Sequence, residues 1–111
     1  MKIKDIVKTL NAKVVSGEAY LEKEVTGGYT GDLLSDVLAN SEQGNLWITI
    51  QIHQNIIAVA SSKDLSGIII ANGRIPEEET LKSAQTEQIP VLICDLLTYD
   101  ITGRLYEIGI R

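Results

Sequence analysis

The chain has 111 residues, 44% of them apolar and 23% charged, the balance of one globular domain rather than a disordered tail or a membrane span. Fifteen acidic against ten basic residues leave a net charge of −5 with no Lys/Arg cluster, which argues against a nucleic-acid partner. A single cysteine excludes an internal disulfide and a cysteine-based metal site, and the absence of Phe leaves Ile, Val and Leu to fill the core.

The first predicted element is a short amphipathic helix, with Ile3, Ile6, Val7 and Leu10 at three- and four-residue spacing and Asn11 as its stop. Met1–Asp5 carries no apolar leader, and runs such as Gly67–Ala71 are too short to cross a bilayer, so a cytoplasmic chain without membrane contact is expected. Ala12–Ser16 reads as a short strand closed by Gly17. A strand near Glu24–Thr26 passes through Gly27, Gly28 and Gly31 into a helix with Leu33, Leu34, Val37 and Leu38 on one face. Asp32 stands near that helix's start, where an acid satisfies free N–H groups. Gly44-Asn45 turns into a strand, Leu46–Ile50, followed by a helix over Gln54–Ser62 and a strand, Gly67–Ala71, apolar on both faces. Asn72-Gly73-Arg74-Ile75 forms a turn, and Pro76 opens a helix whose first turn holds Glu77, Glu78 and Glu79. Ile89–Cys94 is a further strand, in which Cys94 serves as a small apolar side chain. The last helix, Thr98–Ile108, carries Ile101, Leu105 and Ile108 on one face. Tyr99, Tyr106 and Ile110 mark a second face, read as a homodimer interface.

Aliphatic strands alternating with helices specify one α/β domain over residues 1–111. Its sheet is expected to be mostly parallel, of about four strands flanked by helices, with the N-terminal helix and short strand appended. In such sheets ligands bind beyond the carboxyl ends of the strands, and the polar residues gather there in sequence. The candidate lining comprises Gly27, Gly28, Thr30, Gly31, Asp32, Gln51, His53, Asn72, Gly73 and Arg74. The glycines before the helix offer main-chain N–H groups to a small anion or nucleotide, and equally serve a sharp turn. Arg74 suits an anion or carboxylate as well as a solvated turn. His53 has no companions for a metal site, so neither metal nor cofactor is expected. Its use with Asp32 as acid and base ranks behind a structural role, because no nucleophile arrangement accompanies them.

Several stretches resemble the DRTGG domain family: Leu46-Trp47-Ile48-Thr49 followed by Asn55-Ile56-Ile57, then Ser66-Gly67-Ile68-Ile69-Ile70, Asn72-Gly73, Pro76 and Ile89-Pro90-Val91-Leu92. Val25-Thr26-Gly27-Gly28-Tyr29 through Asp32-Leu33-Leu34-Ser35-Asp36-Val37 looks like the small stand-alone members. The chain is also similar to the N-terminal domain of HPr kinase/phosphorylase, without that enzyme's kinase domain. The family's Asp-Arg pair falls here on Ile52-His53, and its Thr-Gly-Gly on Ala71-Asn72-Gly73. The resemblance implies a non-enzymatic accessory module that regulates or scaffolds a protein partner and helps form dimers.

Overall fold

Alternation within each strand decides which side of the sheet a residue covers. In a computed structural model describing residues 1–111, Leu46 and Ile48 share one apolar cluster with Ile69 and Leu92, while Trp47, Ile68, Ile70 and Val91 belong to a second cluster on the opposite face. The elements run α1 (Ile3–Leu10), β1 (Lys13–Ser16), a 3₁₀ turn at Glu18–Tyr20, β2 (Gly27–Thr30), α2 (Leu34–Asn40), β3 (Asn45–Thr49), α3 (Asn55–Ser62), β4 (Gly67–Ile70), α4 (Glu78–Glu87), β5 (Val91–Ile93) and α5 (Thr98–Glu107).

The five strands lie in the order β1-β5-β4-β3-β2. All neighbours from β2 to β5 are parallel, and β1 closes the edge antiparallel to β5. Each step from β2 to β5 moves one place in the same direction, and crossovers are right-handed, so α2, α3 and α4 cover a single face. Val37, Ile56, Ile57, Ala60 and Ala84 form that layer, and α1 and α5 cover the other face through Ile3, Ile6, Leu10, Ile101 and Leu105. No helix is long and apolar enough to cross a membrane.

The α/β architecture is as expected, and the appended strand Lys13–Ser16 proves to be the fifth strand of the sheet. Three local assignments differ. Gly27 and Gly28, expected in a strand-to-helix turn, instead form β2 itself. A Cβ on Gly28 would stand in ordinary contact, 3.5 Å from Ile110 Cγ2, and one on Gly27 would be tight, 3.2 Å from Asn45 Nδ2. The helix Leu34–Asn40 buries only Val37; Leu33 and Leu38, expected on its inner face, are exposed. Ile108 and Ile110 exchange roles: α5 ends at Glu107, and the chain then folds Ile110 into the core at 7% exposure, leaving Ile108 at the surface.

Gly17 turns the chain from β1 with φ +76°, and a Cβ there would meet Ile89 O and Pro90 Cα at 2.7 Å. Glycine is required at that close approach. The N-terminal unit is tied down at its surface by Glu22, which pairs with Lys2 Nζ at 2.8 Å and Lys4 Nζ at 2.9 Å. Those two ammonium donors pull the Glu22 carboxyl down to about 2.

Candidate functional site at the carboxyl rim

Parallel pairing brings the ends of β2, β3, β4 and β5 to one rim of the sheet. Gly31, Asp32 and Leu33 follow β2; Gln51, Ile52 and His53 follow β3; Asn72, Gly73, Arg74 and Ile75 follow β4; and Asp95, Leu96 and Leu97 follow β5. Ile52-His53 and Ala71-Asn72-Gly73, where the resembled family's motif falls, thereby lie on the connections that follow the neighbouring strands β3 and β4.

The polar groups of this rim are bonded to one another. Asp32 Oδ1 accepts from Thr49 Oγ1 at 2.8 Å and from the Ile50 N–H at 2.9 Å. Its carboxylate therefore caps the end of β3 rather than the start of α2, whose Leu33 N-cap makes no side-chain bond. Gln51 Nε2 donates to Asp32 O at 2.9 Å, and Arg74 Nη1 donates to Ile50 O at 2.6 Å. The Ile52 carbonyl accepts from Thr80 Oγ1 at 2.7 Å and from the Glu77 N–H at 3.2 Å. The Gly31 and Ile50 amides at this rim are thereby in use, the first on Ile48 O and the second on Asp32.

The place where a ligand most often enters such sheets lies between β4 and β5, because the helices that follow them, α4 and α5, go to opposite faces. Here that crevice is closed by its own loops. The Asn72 N–H donates to Leu96 O at 2.9 Å and the Gly73 N–H to Cys94 O at 3.0 Å. Asn72 and Gly73 take φ +63° and +64°, a left-handed pair suited to Asn-Gly, and the Arg74 N–H closes the turn on Ala71 O. A Cβ on Gly73 would lie 3.2 Å from Asp95 Oδ1, so a carboxylate stands over the turn.

The other candidates lie apart. His53 is exposed, its Nδ1 accepts from the Asn55 N–H at 3.1 Å, and it borders a shallow groove of about 600 Å³ between α3 and α4 that also includes Ser61, Ser83 and Glu87. Gly28 and Thr30 border a smaller cavity of about 140 Å³ against Thr102 and Tyr106 of α5. A third cavity, about 380 Å³, lies at the amino ends of the strands, lined by Lys23, Thr26, Gln43 and Asp64. None of the three cavities includes Asp32, Gln51, Asn72, Gly73 or Arg74. No group of three His, Cys, Asp or Glu is placed to hold a metal.

A feature that the hydrophobic pattern did not isolate is apolar. Every connection at the rim carries an aliphatic side chain that does not pack against the first core cluster: Leu33, Ile52, Ile75 and Leu97. Leu33 is 67%, Ile75 64% and Leu97 56% exposed, Ile52 is half-buried, and Tyr99 beside Leu97 is 87% exposed. Of the residues expected at a dimer face, Tyr99 stands at this rim, Tyr106 is exposed at the far end of α5, and Ile110 is inside the core. The readable signal was an aliphatic residue in each turn-rich segment between strand and helix.

A family model described as the DRTGG domain matches residues 5–108. Among solved structures, the chain is similar to the CBS and DRTGG domains of the regulatory region of Clostridium perfringens pyrophosphatase, complexed with its activator diadenosine tetraphosphate. That likeness has a TM-score of 0.71 at 16% identity, and it covers 93% of this chain and 45% of the other, so this chain spans less than half of that one. At such identity the likeness speaks to the fold. No curated protein matches the chain.

Proposed function

The chain belongs to the DRTGG domain family, and from that premise we propose that it is a cytoplasmic regulatory module without a reaction of its own, which dimerises and acts on a protein partner by contact. The observation that carries this reading is the closure of the β4–β5 crevice by hydrogen bonds from Asn72 and Gly73 to the β5 connection. Where a substrate would enter, the chain has bonded its own loops, while aliphatic side chains stand outward beside them. Asp32 and His53, the pair an acid–base reaction would use, are turned to separate tasks at Ile50 and Asn55. The similarity to the N-terminal domain of HPr kinase/phosphorylase belongs to the same accessory reading. Sedimentation equilibrium tests it: a dimer is expected, and a strict monomer up to ~1 mM chain contradicts it.

A second reading is favoured by the solved neighbour, which carries a dinucleoside polyphosphate. In it, Gly31, Asp32, Gln51, His53, Asn72, Gly73 and Arg74 bind a small anionic nucleotide once the rim loops part. Diadenosine tetraphosphate at 100 times its dissociation constant would then add ~2.7 kcal/mol of stability. A melting temperature unmoved by that compound and by mononucleotides overturns this reading.

A further inference from the structure

We propose that the cavity between β2 and α5 binds a small monocarboxylate, its apolar body seated on the core and its carboxylate held by Arg111 and the Thr30–Thr102 hydroxyl pair. The cavity includes none of the bonded rim groups Asp32, Gln51, Asn72 and Arg74. Its occupancy depends on neither the dimer nor the nucleotide reading.

The cavity exists because β2 withholds side chains. On the face covered by α1 and α5, the inner strands present Leu46, Ile48, Ile69 and Leu92. At the sheet edge the same face carries only Gly28 and Thr30, in register with Leu46 and Ile48. About 140 Å³ is left open beneath α5, with Ile48, Leu105 and Ile110, all buried, as its apolar floor. Nothing in the fold demands the gap. Gly28 has no positive φ, and a Cβ there would make ordinary contacts, 3.5 Å from Ile110 Cγ2 and 3.8 Å from Leu46 O. Glycine weakens a strand interior, and one that packing does not require marks a place where a ligand approaches the backbone.

Volume and lining define the ligand. An apolar cavity of roughly 150 Å³ holds benzene, so a body of about four to six carbons fits this one. Nucleotides and other large cofactors need clefts of ~300 Å³ or more. The polar side offers donors alone. No Asp, Glu or His side chain lines the cavity. Thr30 Oγ1 and Thr102 Oγ1 stand 2.9 Å apart, so one hydrogen is spent between them and the other is left to donate. Arg111 joins none of the chain's ion pairs, and only its Nε is bonded, to Tyr106 O at 3.1 Å. Its guanidinium rests over the Tyr106 ring, 4.6 Å from the centroid, which positions it and leaves both Nη groups for an acceptor. The Arg111 main-chain carbonyl turns instead toward Gly27, on the other side of the strand. Donors beside an apolar floor match an anion with a short hydrocarbon body.

Amide spectra of the isotopically labelled full chain, titrated with isovalerate, 3-methylbutanol and acetate, test the site. Isovalerate is expected to shift Gly28, Thr30, Thr102 and Ile110 along a saturable curve, with a dissociation constant of ~0.1–10 mM. Acetate, three carbons shorter, should bind at least ~30-fold more weakly, since each buried methylene contributes about fourfold. The neutral isostere 3-methylbutanol should bind ~10-fold more weakly, a difference that Arg111→Ala should erase. Gly28→Val fills the space from the strand and should abolish saturation while retaining the melting temperature. Thr102→Val keeps the shape, loses the hydroxyl and should weaken isovalerate ~5–10-fold, which provides the same check should Gly28→Val fail to fold. Shifts that do not saturate by ~50 mM, or that persist unchanged in both variants, overturn the site. Equal binding of the alcohol and the acid overturns the carboxylate assignment.

Discussion

Asp32 shows how one side chain holds the rim. Its carboxylate joins the buried Thr49 hydroxyl and the Ile50 N–H, fixing the end of β3. Asp32→Ala should therefore destabilise by about 1–3 kcal/mol, read as a lower urea midpoint at unchanged slope, and Asp32→Asn, which keeps an acceptor, should lose less. A second local bond sets a pH window. The Tyr29 hydroxyl and the Asn40 amide both donate to the Asp36 carboxylate, holding it below its ordinary 3.8 and pushing the Tyr29 phenol above 10.0, each mainly through the shared hydrogen bond. A depressed carboxyl favours the fold above 3.8 and loses that contribution as pH falls through its folded value. A raised phenol favours the fold below 10.0 and loses it as pH rises through its folded value. Tyr29→Phe should flatten both limbs of a melting-temperature profile against pH; identical limbs in the variant would show the bond to be energetically silent. At this scale the sequence named Asp32 as important but misplaced its partners. A carboxylate beside a predicted helix start is drawn to that helix by local rules, whereas here the neighbouring strand's end offered a buried hydroxyl and a free N–H.

Elements were the most legible level, because Ile68–Ile70 and Leu46–Ile48 carry their apolar character on both faces and only a covered parallel sheet accommodates that. Errors fell where packing overrode local preference. Gly27 and Gly28 favour turns in isolation, yet parallel pairing with Asn45 and Leu46 holds them in β2. Leu33 looked like a helix's inner face because an aliphatic residue next to Leu34 fits that pattern, and nothing local marks it as outward. Two glycines give opposite predictions. Gly17→Ala places a Cβ 2.7 Å from backbone at positive φ and should lower the melting temperature by roughly 10 °C or more. Gly103 lies inside α5, and an added Cβ there would have nothing within 4 Å, so Gly103→Ala should raise stability by ~0.5–1 kcal/mol. Thermal melts of the pair check both signs.

For the whole molecule, the rim's location was readable from strand–helix alternation, since parallel strands bring their carboxyl ends together whatever the loops contain. Its character was not. A cluster of Gly, Asn, Asp and Arg reads as a polar pocket until the mutual bonds of Asp32, Gln51, Asn72 and Arg74 are seen to consume it, and the aliphatic row emerges only from the order in which β5, β4, β3 and β2 lie. The central claim is that the molecule meets other protein surfaces at this rim. The most direct measurement is a dilution series of amide spectra of the isotopically labelled chain. Concentration-dependent shifts confined to Leu33, Ile52, Ile75, Leu97 and their neighbours are predicted. Shifts centred instead on Thr26, Gly44 and Asp64 at the amino ends of the strands, or spectra unchanged throughout the series, would contradict it.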